Sequence, residues 1–145
     1  MRYITLDQLY TYMRKSQLTT LTDSQTSEPD MIVLEAVNAV CVAEIDGYLR
    51  GIYQLPLLPA PELITLIVAD LMRYRLNQRR DAANMPEEAF RSYKATIDKL
   101  RDIQSRKIIL DAPSTTGKES VTEGTISSIT PSQGFGTHFT KLFNE

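Results

Sequence analysis

Cysteine and histidine each occur once in this chain, and tryptophan does not occur at all. The lone Cys41 can close no disulfide within its own chain, and its place in an apolar run makes it a small buried hydrophobe. With His138 as the single histidine, a Ser-His-Asp or Cys-His arrangement and a multi-histidine metal centre lack their parts within one chain. Excess charge is missing too: 16 basic against 18 acidic residues leave a formal net charge of -2, with no overall pull toward nucleic acid. The N-terminal MRYITLDQLY has no apolar signal core, and the greasiest run, LPLLPAPELITLIVADLM, is interrupted by three prolines, Glu62 and Asp70. A soluble cytoplasmic protein with no membrane partner is therefore expected. No strand pattern exceeds a few residues and no repeat of about 20 to 50 residues is visible. The 145 residues suffice for one core, so the fold class expected is all-α, a small bundle of about four helices. TTGKES ends like a phosphate loop but lacks the first glycine, has Glu119 after Lys118 and follows no strand. No enzyme activity and no cofactor or metal site is expected.

What is present is helix punctuation. Thr5 with Gln8 three residues on makes a capping-box pattern, followed by Leu6, Leu9, Tyr10 and Met13 on one side of a short helix. Ser27 and Asp30 have the same spacing, with Pro29 tolerated in the first turn, so a second helix is expected from about Glu28 to Arg50. Gly51 is a left-handed stop, and Pro56, Pro59 and Pro61 hold the following loop out of helix. Glu62 to Arg79 carries Leu63, Ile64, Ile67, Val68, Leu71 and Tyr74 at helical spacing. A last helix is expected behind Asn84 as cap, Pro86 and Glu87, with the stripe Phe90, Tyr93, Ile97, Leu100 and Ile103. Glu87 with Arg91, and Lys94 with Asp98, stand four residues apart as ion pairs.

The second helix is apolar yet holds acids. A helical projection puts Glu35 and Asp46 together on the solvent side, where Asp46 can pair with Arg50. Glu44 lies nearly opposite, between Val37, Val40, Cys41 and Tyr48, on the side expected to be most buried. On the third helix Arg75 falls within the stripe of Ile64, Val68 and Leu71. An unpaired buried charge is costly, so Glu44 and Arg75 are expected to pair as a packing determinant. A catalytic carboxylate is the other reading of Glu44, but an arginine beside it would lower a pKa that such a role needs raised. RYRLNQRR offers Arg73, Arg79 and Arg80 as phosphate-binding groups for a DNA-binding regulator, the alternative function; the plainer reading is cations complementing a helix C-terminus.

After Leu110 the chain turns rich in Ser, Thr and Gly, so a domain over 1–110 and an extended tail over 111–145 are expected. Three of the four phenylalanines lie in the tail's last stretch, as Phe135, Phe139 and Phe143. Each left exposed forgoes roughly 2 kcal/mol of burial. Together with Leu142 they are expected to dock into another protein's groove; folding back onto the chain's own helices is the other reading, strongest for Phe135 alone.

AEIDGYLRGIYQLPL (43–57), the proline-rich turn after it and VADLMRYRL (68–76) resemble a family of small virion proteins of Mu-like tailed phages and prophages, over about residues 3 to 107. Members commonly read Gly-Arg-Tyr-Pro-Leu-Pro-Leu where this chain has Gly51, Ile52, Tyr53, Gln54, Leu55, Pro56 and Leu57. FTKLF (139–143) is similar to a short aromatic, hydroxyl, basic element near the end of many members. The resemblance implies a head-to-tail connector, also called an adaptor or head-completion protein, that forms a ring beneath the portal, commonly twelve-fold. The partners implied are the portal protein, a tail-proximal neck or head-closure protein, further copies in the ring, and DNA passing through the lumen. The location implied is the virion neck, after assembly in the bacterial host cytoplasm. In that setting Tyr53, Leu55, Pro56 and Leu57 form the ring or lumen loop, while Phe135, Phe139, Leu142 and Phe143 hold the portal.

Overall fold

A computed structural model describes residues 1–115, which form one unit. Thr5 opens α1 (Leu6–Tyr12): its hydroxyl accepts from the Gln8 amide, and the Gln8 side chain accepts in return from the Thr5 amide. The chain leaves at Met13 and at once forms α2 (Lys15–Leu21), a helix the sequence pattern does not announce. α2 is short and mostly polar, and Arg14 caps it with no side-chain bond. Thr19, Thr20 and Thr22 hydroxyls bond back to carbonyls of the preceding turn, while Leu18 and Leu21 are buried toward the next long helices. Packing rather than propensity holds a segment of this length helical.

α3 (Met31–Leu49) begins at Asp30, whose carboxylate accepts from the amides of Ile32 and Val33. The start expected at Glu28 is thus corrected: Ser27 is no cap, and Glu28 belongs to a turn stapled by the Thr26 hydroxyl and by an ion pair with Lys15. Pro29 lies before the cap, buried, rather than inside the first turn. α3 stops where a stop is expected. Gly51 takes φ +85°, and the amides of Ile52 and Tyr53 both return to the Leu49 carbonyl.

After the proline loop, α4 (Glu62–Asp81) runs two residues past Arg79. Asp81 accepts from the amides of Ala83 and Asn84, and the Asn84 side chain donates to it at 2.6 Å. Asn84 therefore finishes the turn after α4 instead of capping α5 (Glu87–Gln104), which opens on Pro86 with no side-chain cap. In α5 the expected stripe is rotated: Ala89, Thr96, Leu100 and Ile103 are buried, Tyr93 and Ile97 are half-buried, and Phe90 is 45% exposed beneath Lys94. Lys94 faces that ring and not Asp98, which pairs with Arg101 at 3.4 Å; Glu87 and Arg91 meet at 2.6 Å.

α3, α4 and α5 pack on one another and α2 leans on α4. Leu34, Ile45, Leu49, Ile64, Ile67, Leu71, Leu76, Leu100 and Ile103 are fully buried between them. Residues 110–115 return to the turn after α3: Gln54 donates to the Pro113 carbonyl, and the Thr115 amide donates to Ile52, each at 2.9 Å. Among the described residues the fold is all-α, with only isolated bridges and no strand. Phe135, Phe139, Leu142, Phe143 and His138 lie outside the described residues.

The two described glycines separate conformation from space. An added Cβ meets nothing within 4 Å at Gly47 or at Gly51, but only Gly51 has positive φ. Gly51→Ala is expected to destabilise by about 1 kcal/mol and Gly47→Ala, in mid-helix, to stabilise by about 0.5–1 kcal/mol. Denaturant midpoints followed by circular dichroism check both signs.

Candidate functional site

Across the α3–α4 contact, the Arg75 guanidinium donates from Nη2 to Glu44 Oε2 at 3.0 Å, and from Nη1 to Gln78 at 3.3 Å. Neither side chain is deeply buried, with 30% of Arg75 and 21% of Glu44 exposed. Glu44 thus sits at the flank of α3. The buried side, corrected from the projection, is Leu34, Asn38, Cys41, Val42, Ile45 and Leu49, and Val40 is 53% exposed. α3 is apolar around most of its circumference, so its sequence gives the projection no polar side from which to orient it.

Around the pair stands an aromatic group. Tyr74 and Tyr93 stack with centroids 3.8 Å apart at 11°, and the Arg75 guanidinium carbon lies 5.9 Å from the Tyr74 ring. Burial, and then the Glu44 charge, push the Tyr93 hydroxyl above its ordinary pKa, while the hydrogen bond that Arg75 donates to Glu44 holds the guanidinium still more firmly charged. Arg75 Nε is buried without a hydrogen-bond partner. A cation, its carboxylate and half-buried tyrosines thus pack together across α3, α4 and α5. Beside it, burial pushes the Cys41 thiol up to about 12.

Asp46 does not pair with Arg50 as the helical projection suggests. It accepts from the Tyr3 hydroxyl at 2.7 Å, and that same hydroxyl accepts from the Leu57 amide at 3.1 Å. The Tyr3 carbonyl in turn accepts from Thr65 at 3.0 Å. Asn38 adds a second tie, accepting from the Arg2 amide at 2.7 Å and donating to its carbonyl at 3.1 Å. These residues carry no motif. Asn38 alone leaves a signal, as a carboxamide in the middle of an apolar helix.

The loop residues divide. Tyr53 and Leu57 are buried in the subunit's own core, at 6% and 1% exposure, and Tyr53 accepts from the Leu110 amide at 2.8 Å. Leu55 is half-buried and Pro56 exposed, and the outermost apolar group is Leu58 at 75%. A partner meeting this loop therefore touches Pro56, Leu58 and Pro59 before it touches Tyr53 or Leu57. Both Leu55–Pro56 and Leu58–Pro59 are cis.

The arginines near the end of α4 already have partners. Arg73 donates to the Tyr12 carbonyl at 2.9 Å, Arg79 lies 3.0 Å from Asp23, and Arg80 lies 3.8 Å from the same carboxylate. Among the described residues no group of three His, Cys, Asp or Glu side chains is placed to hold a metal ion, and no helix is long and apolar enough to cross a membrane.

Among the described residues, fold and site together define a small all-α protein whose notable polar residues tie its helices and loops together. The chain matches the family model described as Bacteriophage Mu, Gp36 over residues 3–128, and it belongs to that family of phage proteins. A comparison with curated proteins finds no match.

Two outcomes are expected. Tyr3→Phe leaves the Leu57 amide and Asp46 without their partner, a loss of about 1–3 kcal/mol. Burial first, and the bond to Asp46, raise the Tyr3 pKa, so the folded state holds that proton more tightly than the unfolded chain. Its contribution is complete below about pH 10 and fades as pH rises through the folded pKa. Denaturant midpoints from neutral to strongly alkaline pH should fall less steeply in Tyr3→Phe than in the wild type. Cys41 should resist a thiol reagent at pH 8 in the native protein and react fully once unfolded, which absorbance of the released thiolate reports.

Proposed function

We propose that this protein is a head-to-tail connector of a Mu-like phage, a structural virion subunit that forms a ring under the portal and joins head to tail. Membership of the Bacteriophage Mu Gp36 family over residues 3–128 is the observation that carries the reading. Physical support comes from how the described unit is built. Among the described residues a core is assembled from α1 to α5 and the returning 110–115 segment; Phe135, Phe139, Leu142 and Phe143 lie outside those residues. Those four lie in a largely polar stretch, apolar groups that a partner's groove would cover. In this reading the tail beyond the returning 110–115 segment clasps the portal, the 51–61 loop faces the lumen or the next neck component, and twelve copies match the portal.

Identical subunits that meet head to tail close into a ring when the rotation fits. Many weak contacts made at once then hold far better than one. The connector acts by holding shape rather than by chemistry, in the neck of a virion assembled in the host cytoplasm. The DNA-regulator alternative is less well supported: Arg79 and Arg80 share Asp23, and Arg73 is engaged by a backbone carbonyl, so α4 offers no row of free cations.

The reading is tested with the full-length chain carrying Phe135, Phe139, Leu142 and Phe143 all changed to Ala, mixed with portal-bearing heads and imaged at the vertex. The wild type should form a ring on the portal, and the variant, with its helical circular dichroism intact, should occupy it at least tenfold less. Full occupancy by the variant contradicts the clasp. Absence of any wild-type ring, with steeply salt-dependent binding to duplex DNA instead, contradicts the connector.

A further inference from the structure

The outer side of α3 is apolar and unpartnered among the described residues. Ile32, Ala36, Ala39, Val40, Ala43 and Gly47 all lie exposed along it, with Ile32 at 80% and Val40 at 53%. A helix that is apolar on every side is ordinarily one with neighbours on every side. Here α4 and α5 pack on the buried side, and Arg2 and Tyr3 reach only Asn38 and Asp46. Ala36 and Ala39 sit between the two bulkier ones, and Ala43 and Gly47 follow them toward the helix end, so a second helix could approach the backbone closely along that half of α3.

Charge specifies the occupant. A groove of about 610 Å³ runs along this side of α3, with Ala39 and Ala43 in its lining and Met1 and Arg2 as its opposite wall. Glu35 stands toward one end and Arg50 toward the other. Neither is part of any ion pair among the described residues. They are fifteen residues apart, about 22 Å at helical rise. Arg2 and Asp46 line the groove as well, Asp46 held by the Tyr3 hydroxyl, and a helix whose outermost groove charges are an acid at one end and a base at the other complements an identical helix laid antiparallel. The midpoint of Glu35 and Arg50 falls between Val42 and Ala43, among the small residues where close approach is easiest.

We propose that α3 is a self-association surface: two copies of this chain pair α3 to α3, antiparallel about a two-fold axis near Ala43, with Glu35 of each facing Arg50 of the other. The contact is isologous, so it saturates at two copies, whereas a ring propagates head to tail. It therefore describes the protein before it meets its assembly partner, and it stands or falls separately from the connector reading. An antiparallel pair also covers the apolar row while the copies are free in solution, where an exposed patch of this kind invites aggregation.

Sedimentation of the full-length protein over a range of concentrations tests the pairing. The wild type should give a species of twice the 16.4 kDa chain mass. Ala43→Glu, which sets two carboxylates against each other at the axis, should weaken it at least tenfold with unchanged helical circular dichroism, since Ala43 is exposed in the single chain. Glu35→Arg alone and Arg50→Glu alone should each weaken the pair, and the two combined should restore it. Ala43→Cys should oxidise to a symmetric disulfide-linked dimer, with the buried Cys41 not competing. A wild type that stays monomeric at every concentration overturns the proposal. So does a larger closed ring, or a double charge exchange that binds no better than either single one.

Discussion

α3 has apolar side chains around most of its circumference, and among the described residues its neighbours cover only part of it. That constraint organises the described structure. On its buried side Leu34, Cys41, Ile45 and Leu49 meet α4 and α5, which is where the core lies. On its flank Glu44 takes Arg75, and the tyrosines of α4 and α5 close around them. Its outer side, from Ile32 to Gly47, is left to whatever else the protein touches.

Bare helix packing does not fix the irregular segments, and hydroxyl groups do that work. The Tyr3 hydroxyl joins α3 to the proline loop through Asp46 and Leu57, and the Tyr53 hydroxyl joins the same loop to the chain after α5 through Leu110. A buried phenol that both donates and accepts, or that accepts one buried amide, satisfies polar groups that would otherwise be costly to leave unpaired. The stiffness of the loop therefore has two sources: prolines that restrict its backbone, and two tyrosines that hold it from inside. Pro56, Leu58 and Pro59 are thereby presented outward on a fixed base.

Local signals are legible in the sequence and distant ones are not. The Thr5 capping box, the Gly51 stop and the bodies of α3, α4 and α5 follow from residues within a turn or two of each other. α2 leaves no such mark, because a short polar segment is made helical by its contacts. Competing caps are also undecided by spacing: Ser27 and Asp30 both qualify before α3, and Asn84 qualifies before α5, yet Asp30 wins the first and Asp81 engages the second. Asp46 has an obvious partner four residues away in Arg50 and a real one 43 residues away in Tyr3. Glu44 and Arg75 are easier to read, since each is a charge that the helical projection sets among apolar residues, opposite in sign to the other. Their depth is not, because an evenly apolar helix does not say which side is inside.

The centrality of α3 is tested most directly by hydrogen exchange of backbone amides, resolved along the full-length chain. The account predicts that the amides from Leu34 to Leu49 exchange only through global unfolding and are the slowest in the protein, with those of the 22–30 turn far faster. If α3 instead exchanges as quickly as that turn while α4 and α5 stay protected, α3 is not what the rest of the fold is built on.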